Sequence, residues 1–254
     1  MQRLKRIPFS PSVLGGLSLI LGWLIWEAIV AIGDLPPFIL PSPGMVVARF
    51  WRALRYGSLP LHLWTTLSEV LLGLLLGSIV ATVFGYLIAH SRTLERLLSP
   101  YLVASQAVPM VAIAPLLVIW FGPGMVSKVL VCALIVFFPI LVNTIVGIRA
   151  VPRPLYDLMR ALYATRWQIL RYLEVPAALP VFLGGLRVGA TLSVIGAVVG
   201  ELIGADRGLG FLINVGRGQY DTALVFVGIF ALIALALALY GVVILLERWL
   251  IKGS

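Results

Sequence analysis

Six polar residues fall inside or beside long apolar runs of this chain: Glu27, Glu69, Lys128, Asn143, Arg187 and Glu201. An ion in hydrocarbon is expensive and often marks a path for a solute or a proton, although most of these lie near enough to the end of a run to snorkel out of it. A second set is packed into 149–180, where Arg149, Arg153, Asp157, Arg160, Arg166, Arg171 and Glu174 occur within 26 residues. That mixture suits recognition of another charged surface rather than bond-breaking. His62 and His90 are far apart and lack the spacing of metal ligands, and Cys132 is the single cysteine, which excludes an intrachain disulfide. None of the three lysines precedes Ser or Thr, so the G-x-x-x-x-G-K-[ST] phosphate loop is absent. Gly208-Leu-Gly210 is a lone G-x-G and reads as a turn.

The elements that must carry these residues are set by composition. Of 254 residues, 61% are hydrophobic and 11% charged, against about 25% charged in soluble domains. No single water-soluble core hides that much apolar surface, so the solvent is lipid. A helix needs about 20 apolar residues to cross the hydrocarbon, and the runs 13–33, 66–89, 100–121, 125–148, 181–203 and 222–246 give about six spans of an all-α bundle. The first resembles a signal peptide but is too long and lacks a small-x-small cleavage site, so an uncleaved span is expected. The net charge of +9 does not point to nucleic acid, because the cations sit between apolar runs instead of on one polar face. With the N-terminus inside, twelve Lys and Arg fall in inner segments and six in outer ones, leaving Arg187 in a span; both termini are therefore expected in the cytoplasm.

Prolines and glycines punctuate the bundle. Pro36, Pro37, Pro41 and Pro43 predict an extended stretch, followed by an interfacial helix with Val46, Val47, Phe50, Trp51 and Leu54 on one face. Pro100, Pro109 and Pro115 predict a kinked third span, and the carbonyls that Pro109 and Pro115 free must find partners in a neighbouring helix or a wet cavity. Gly73/Gly77, Gly185/Gly189, Gly196/Gly200 and Gly200/Gly204 are pairs at i, i+4 that predict close helix packing. No repeat of 20–50 residues is evident.

The charged segment is not slack. Leu158, Leu162, Ile169 and Leu173 recur near helical spacing, opposite much of the charge. Pro154 suits a first helical turn, with Asp157 near its positive end. Thr165-Arg-Trp-Gln168 fits a capping box that starts a second helix, which Pro176 and Pro180 are expected to end before the fifth span. The product is a compact basic knob with an apolar stripe that needs a partner.

The stretch DLMRALYATRWQILRYLEVPAALP (157–180) resembles the EAA-type loop of binding-protein-dependent ABC importer permeases. LPSP at 40–43, IAPLLVIWFGPG at 113–124, FFPILVNTIVGIR at 137–149 and GELIGADRGLGFLI at 200–213 extend the likeness over most of the chain. The branch it resembles serves sulfonates, taurine, nitrate, riboflavin and the pyrimidine precursor of thiamine, and TLSVIGAVVGELIGADRGLGFLI with RGQYDTALVF is most like the riboflavin and thiamine-precursor permeases.

The resemblance implies a type I ABC importer permease fold forming one domain over 1–254, in a bacterial inner or plasma membrane. The loop 149–180 would form coupling helices seated in a cytoplasmic ATPase subunit, which alone uses ATP; no cofactor is expected on this chain. A second permease subunit, an identical copy forming a homodimer, and an extracytoplasmic solute-binding protein complete the implied assembly. The coupling positions carried over are Asp157, Arg160, Ala161, Ala164, Thr165, Trp167, Pro176 and Pro180. Glu201, Asn143 and Pro109 are candidates for the path or gate, Glu201 because the family carries an acid before GADRGLG. Asp157, Met159 and Tyr163 depart from the family's Glu, Ala and Gly. Tyrosine makes φ > 0 costly, so the inter-helix turn is expected to use another geometry or to run closer to continuous.

Overall fold

The computed structural model describes residues 11–251; Arg3, Lys5, Arg6 and Lys252, which the orientation count uses, lie outside them. The described residues form eleven α-helices and no strand. They are α1 (Pro11–Gly33), α2 (Pro43–Arg55), α3 (Ser58–His90), α4 (Arg92–Gln106), α5 (Met110–Phe121), α6 (Met125–Arg149), α7 (Arg153–Ala161), α8 (Arg166–Ile169), α9 (Val175–Gly204), α10 (Leu209–Gly218) and α11 (Thr222–Ile251). Five helices, α1, α3, α6, α9 and α11, are long and apolar enough to cross a membrane, and α4 with α5 make a sixth, bent unit.

At the centre α6 is gripped between α3 and α9. A Cβ on Gly73 would overlap that of Cys132, one on Gly77 would lie 2.7 Å from the Ala133 carbonyl, and one on Gly196 would lie 2.9 Å from Cys132 Cα. Without a hydrophobic drive between helices in lipid, such backbone approach is what dispersion needs. The glycine pairs therefore do what their spacing predicts, from two sides of one helix. Around this core, α1 rests on α11 through Trp26, whose ring centroid is 5.1 Å from that of Phe226.

Two proline expectations need correction. The third span is not a kinked helix: α4 and α5 meet at 95°. Pro109 cannot donate, its ring holds φ at −67°, and with ψ at 119° it becomes the N-cap of α5, so the chain turns a corner there instead of bending. The stretch 36–43 is not extended throughout, because Ile39 and Leu40 donate to the Pro36 carbonyl in a helical turn (2.9 and 3.2 Å). At Ser42 the backbone is extended, and its Oγ caps α2.

The helix expected after this stretch is present as α2, and it is partly covered by protein. Val46 and Ala53 are buried, and Arg49 Nε donates to Asp221 Oδ2 at 2.7 Å, tying α2 to the start of α11.

Candidate functional site

Functional side chains collect at the two ends of α9. At the first end, Arg149 closes α6 by reaching across to α3: its guanidinium donates to the Ile88 carbonyl (3.1 Å), to the Ala89 carbonyl (3.4 Å) and to Glu95 Oε1 (2.5 Å). These carbonyls lie in the last turn of α3, where Ile88 O takes the Ser91 amide (3.2 Å), so a cation there suits the negative end of the helix. Val151 is buried behind it, and α7 starts two residues later with Pro154 in its first turn.

The turn from α7 to α8 contradicts the expectation for Tyr163. Its φ is +55°, so tyrosine occupies the left-handed geometry that glycine would have taken. The reason lies in the bonds that surround it: Tyr163 N donates to the Arg160 carbonyl (2.9 Å) and Ala164 N to the Met159 carbonyl (2.9 Å). That pair is a Schellman cap, which requires its C′ residue at positive φ. With its ring 94% exposed, the side chain meets nothing that would oppose the turn.

The capping box predicted at Thr165 is present. Thr165 N donates to Gln168 Oε1 (2.7 Å) and Gln168 N donates to Thr165 Oγ1 (3.3 Å). Asp157, Arg160, Ala161, Thr165 and Trp167 are all exposed on this knob, and Ala164 is half-buried. Asp157 sits in the second turn of α7, beyond strong reach of the helix dipole, 3.8 Å from Arg160. Trp167 is 66% exposed. Leu158 and Leu162 are exposed as well, so the knob presents apolar side chains and an indole among charges, the composition that docking surfaces favour.

Pro176 and Pro180 do not end the second helix. Instead α8 runs through a π-helical turn, Leu170–Glu174, into α9 without a break. Pro176 offers no N–H to the Tyr172 carbonyl, and the wider turn, in which Val175 N donates to Leu170 O, shifts the ladder by one residue. Both prolines then lie on the exposed side of α9. The π turn also aims Glu174 inwards. It is buried, and its Oε1 takes Tyr156 OH from α7 (3.0 Å) and faces His90 Nε2 from α3 (2.8 Å). Burial, and next the Glu174 charge, push the Tyr156 hydroxyl up to about 12, so it remains a donor.

At the other end of α9, Glu201, Glu69 and Lys128 are 1%, 1% and 3% exposed. Snorkelling is therefore not what these side chains do. Lys128 Nζ lies 3.2 Å from Glu69 Oε1, bringing α6 and α3 together, and the Glu201 carboxyl stands beside that of Glu69. Glu201 accepts from Thr66 Oγ1 (2.6 Å) and from the Gly210 amide. Thr66 Oγ1 accepts in turn from Leu209 N (2.8 Å), and Gly208 N donates to His62 Nδ1 (3.0 Å). The G-x-G is thus more than a turn. Gly208 has φ +116°, and a Cβ on it would overlap the Glu201 carboxyl; one on Gly210 would be 2.9 Å from Glu201 Oε2. The two glycines let the backbone close over a buried carboxyl group, to which the Gly210 amide donates directly while the Leu209 amide reaches it through Thr66.

The three path candidates do not converge. Glu201 belongs to this cluster, whereas Asn143 is 15 residues further along α6 than Lys128, roughly 22 Å at 1.5 Å per residue. Asn143 donates to the Pro139 carbonyl of its own helix (2.8 Å) and packs on Gly185. Pro109 is exposed at the α4–α5 corner. Arg187 is bound across the bundle to Glu247 (3.2 Å), and Glu27 is exposed on α1. His62 and Thr66 were the missed partners of Glu69, and the spacing of four and three residues on α3 puts all three on one helix face.

The chain matches the family model described as binding-protein-dependent transport system inner membrane component over residues 73–252. It belongs to that family. The chain is a membrane-spanning permease subunit of an ABC importer, not an enzyme, and works with an ATPase and a binding protein in an inner membrane. It is 50% identical to the riboflavin transport system permease protein RibX of Chloroflexus aurantiacus, over 93% of this chain and 88% of that one. It is 39% identical to the formylaminopyrimidine transport permease protein ThiX of Halalkalibacterium halodurans, over 90% of each. Among solved structures, the fold is similar to a chain of the MetNI methionine ABC transporter in an inward-facing conformation, with TM-score 0.66 and 20% identity, covering 78% of this chain and 97% of that one.

Proposed function

We propose that this permease carries riboflavin, delivered by a solute-binding protein, and that the 153–169 knob is where a cytoplasmic ATPase docks. The observation that supports the substrate is the 50% identity to RibX over nearly the whole chain. At 39% the relative is named for a different heterocycle, so riboflavin ranks ahead of the thiamine pyrimidine precursor, and both rank ahead of sulfonate, taurine or nitrate. Docking is supported by the exposed Trp167, Leu158 and Leu162 among Asp157, Arg160 and Arg166, held on a capped and anchored pair of helices. With that knob in the cytoplasm, both termini are cytoplasmic, and two copies of the chain pair around the path. Glu201, with its amide cradle, sits at the outer end as a gate contact.

The test is uptake in proteoliposomes holding the permease, its ATPase and its binding protein, with ATP inside. Labelled riboflavin accumulates, whereas formylaminopyrimidine and taurine compete weakly. Reversing both Asp157→Arg and Arg160→Asp abolishes uptake and ATPase co-purification while the permease still folds. Equal transport by the reversed variant ends the docking assignment, and taurine uptake in place of riboflavin ends the substrate assignment.

A further inference from the structure

On the knob side of the bundle, a cavity of about 960 Å³ opens between α4, the end of α6 and α7. Five guanidinium groups line it: Arg92 and Arg96 from α4, Arg149 from α6, and Arg153 and Arg160 from α7. Only Glu95 and Asp157 oppose them, and both are already engaged, by Arg149 and Arg160. Among the described residues Arg92, Arg96 and Arg153 have no carboxylate within ion-pair distance. The pocket therefore has a formal charge of +3 with three unpaired forks, and its back wall is the buried pair Ile148 and Val151.

Arg92 and Arg96 are one helical turn apart and share a face of α4, while Leu97 and Tyr101 of the same helix are exposed. The cations thus stand where a helix passes from polar to apolar surroundings. Arginine forks match the oxygens of a phosphate, and basic pockets between helices at this depth hold anionic headgroups.

We propose that this cavity is a binding site for a phosphate group, carried either by an anionic phospholipid of the adjacent leaflet or by a free phosphate anion. The site does not depend on which solute crosses the membrane, but it shares Arg153, Asp157 and Arg160 with the knob proposed to dock the ATPase. It brings the membrane surface, or the local phosphate level, into contact with the same α7 that carries Asp157.

The full-length permease in nanodiscs of phosphatidylcholine with increasing phosphatidylglycerol is examined by native mass spectrometry, alongside binding of inorganic phosphate to the detergent-solubilised chain. Wild type retains phosphatidylglycerol over phosphatidylcholine, and Arg92→Gln, Arg96→Gln and Arg153→Gln each weaken retention about fivefold. Arg92→Lys with Arg96→Lys keeps the charge and part of the binding, which separates loss of the site from loss of the fold. Phosphatidylglycerol retention that millimolar phosphate does not displace identifies the lipid; phosphate binding that is lost in the glutamine variants identifies the free anion. If the variants bind both like wild type, or change only ATPase affinity, the proposal is wrong.

Discussion

Lys128 Nζ and Glu69 Oε1 face each other at 3.2 Å across the α6–α3 contact, with Glu201 beside them as a second carboxyl. One ammonium therefore stands among two buried carboxyl groups and pairs with one of them, Glu69. Removing a member of a buried pair strands its partner, at a cost of about 3–5 kcal/mol. Lys128→Met should melt far below wild type in detergent, and Lys128→Met with Glu69→Gln should recover much of the loss. A Lys128→Met protein that melts within a degree of wild type would mean the lysine does not hold this site together.

The amide cradle makes a second prediction. Gly208→Ala forces a Cβ into the Glu201 carboxyl at a φ that alanine resists, and Gly210→Ala crowds the same oxygen. Overpacking and backbone strain together cost about 1–3 kcal/mol. Gly218→Ala, with nothing within 4 Å of its Cβ, is the matched control and should be neutral in the same thermal-unfolding assay.

Tyr163 offers a stabilising change. A non-glycine residue in the left-handed region costs about 1–2 kcal/mol, of which glycine's extra unfolded-state freedom offsets part. Tyr163→Gly should raise stability by roughly 0.5–1 kcal/mol, since the exposed ring loses no contact within the chain. Affinity for the ATPase is the discriminating readout: a drop accompanying the gain in stability would place the ring at the docking surface.

Tyr156 and Glu174 tie α7 to the π turn. Tyr156→Phe removes a hydrogen bond to a buried carboxylate, which is worth about 1.5–3 kcal/mol. The amides of α7 should then exchange faster with solvent, while those of α6 stay protected. Unchanged exchange across 153–161 would show that Arg149 alone anchors the knob.

The parts of the fold that were legible in the sequence were those governed by local rules. The Thr165 capping box, Pro154 in a first turn and the glycine spacing each depend on neighbours within a few residues, and each appears where expected. Tyr163 misled because propensity weighs one residue against its own backbone, whereas two cap bonds from Tyr163 and Ala164 outvoted it. Pro176 misled for a related reason: a helix that widens by one residue can absorb the missing donor, and no proline rule marks where that happens. The buried cluster was only half visible. Glu69, Lys128 and Glu201 each stood out as costly, but 59 and 73 residues separate Lys128 from the other two, and nothing local says that these three helices converge there.

The unbroken run from Arg166 to Gly204 has a mechanical meaning. One end is the exposed Trp167 and the other carries Glu201, so the two sites are opposite tips of a single stiff rod with α6 as its bearing. The 30 residues of α9 span roughly 45 Å. A tilt of about 5° at the knob would therefore displace the far tip by roughly 4 Å, more than the length of any hydrogen bond that Glu201 makes, and the π turn at Leu170–Glu174 is the joint at which such a tilt would be absorbed or passed on.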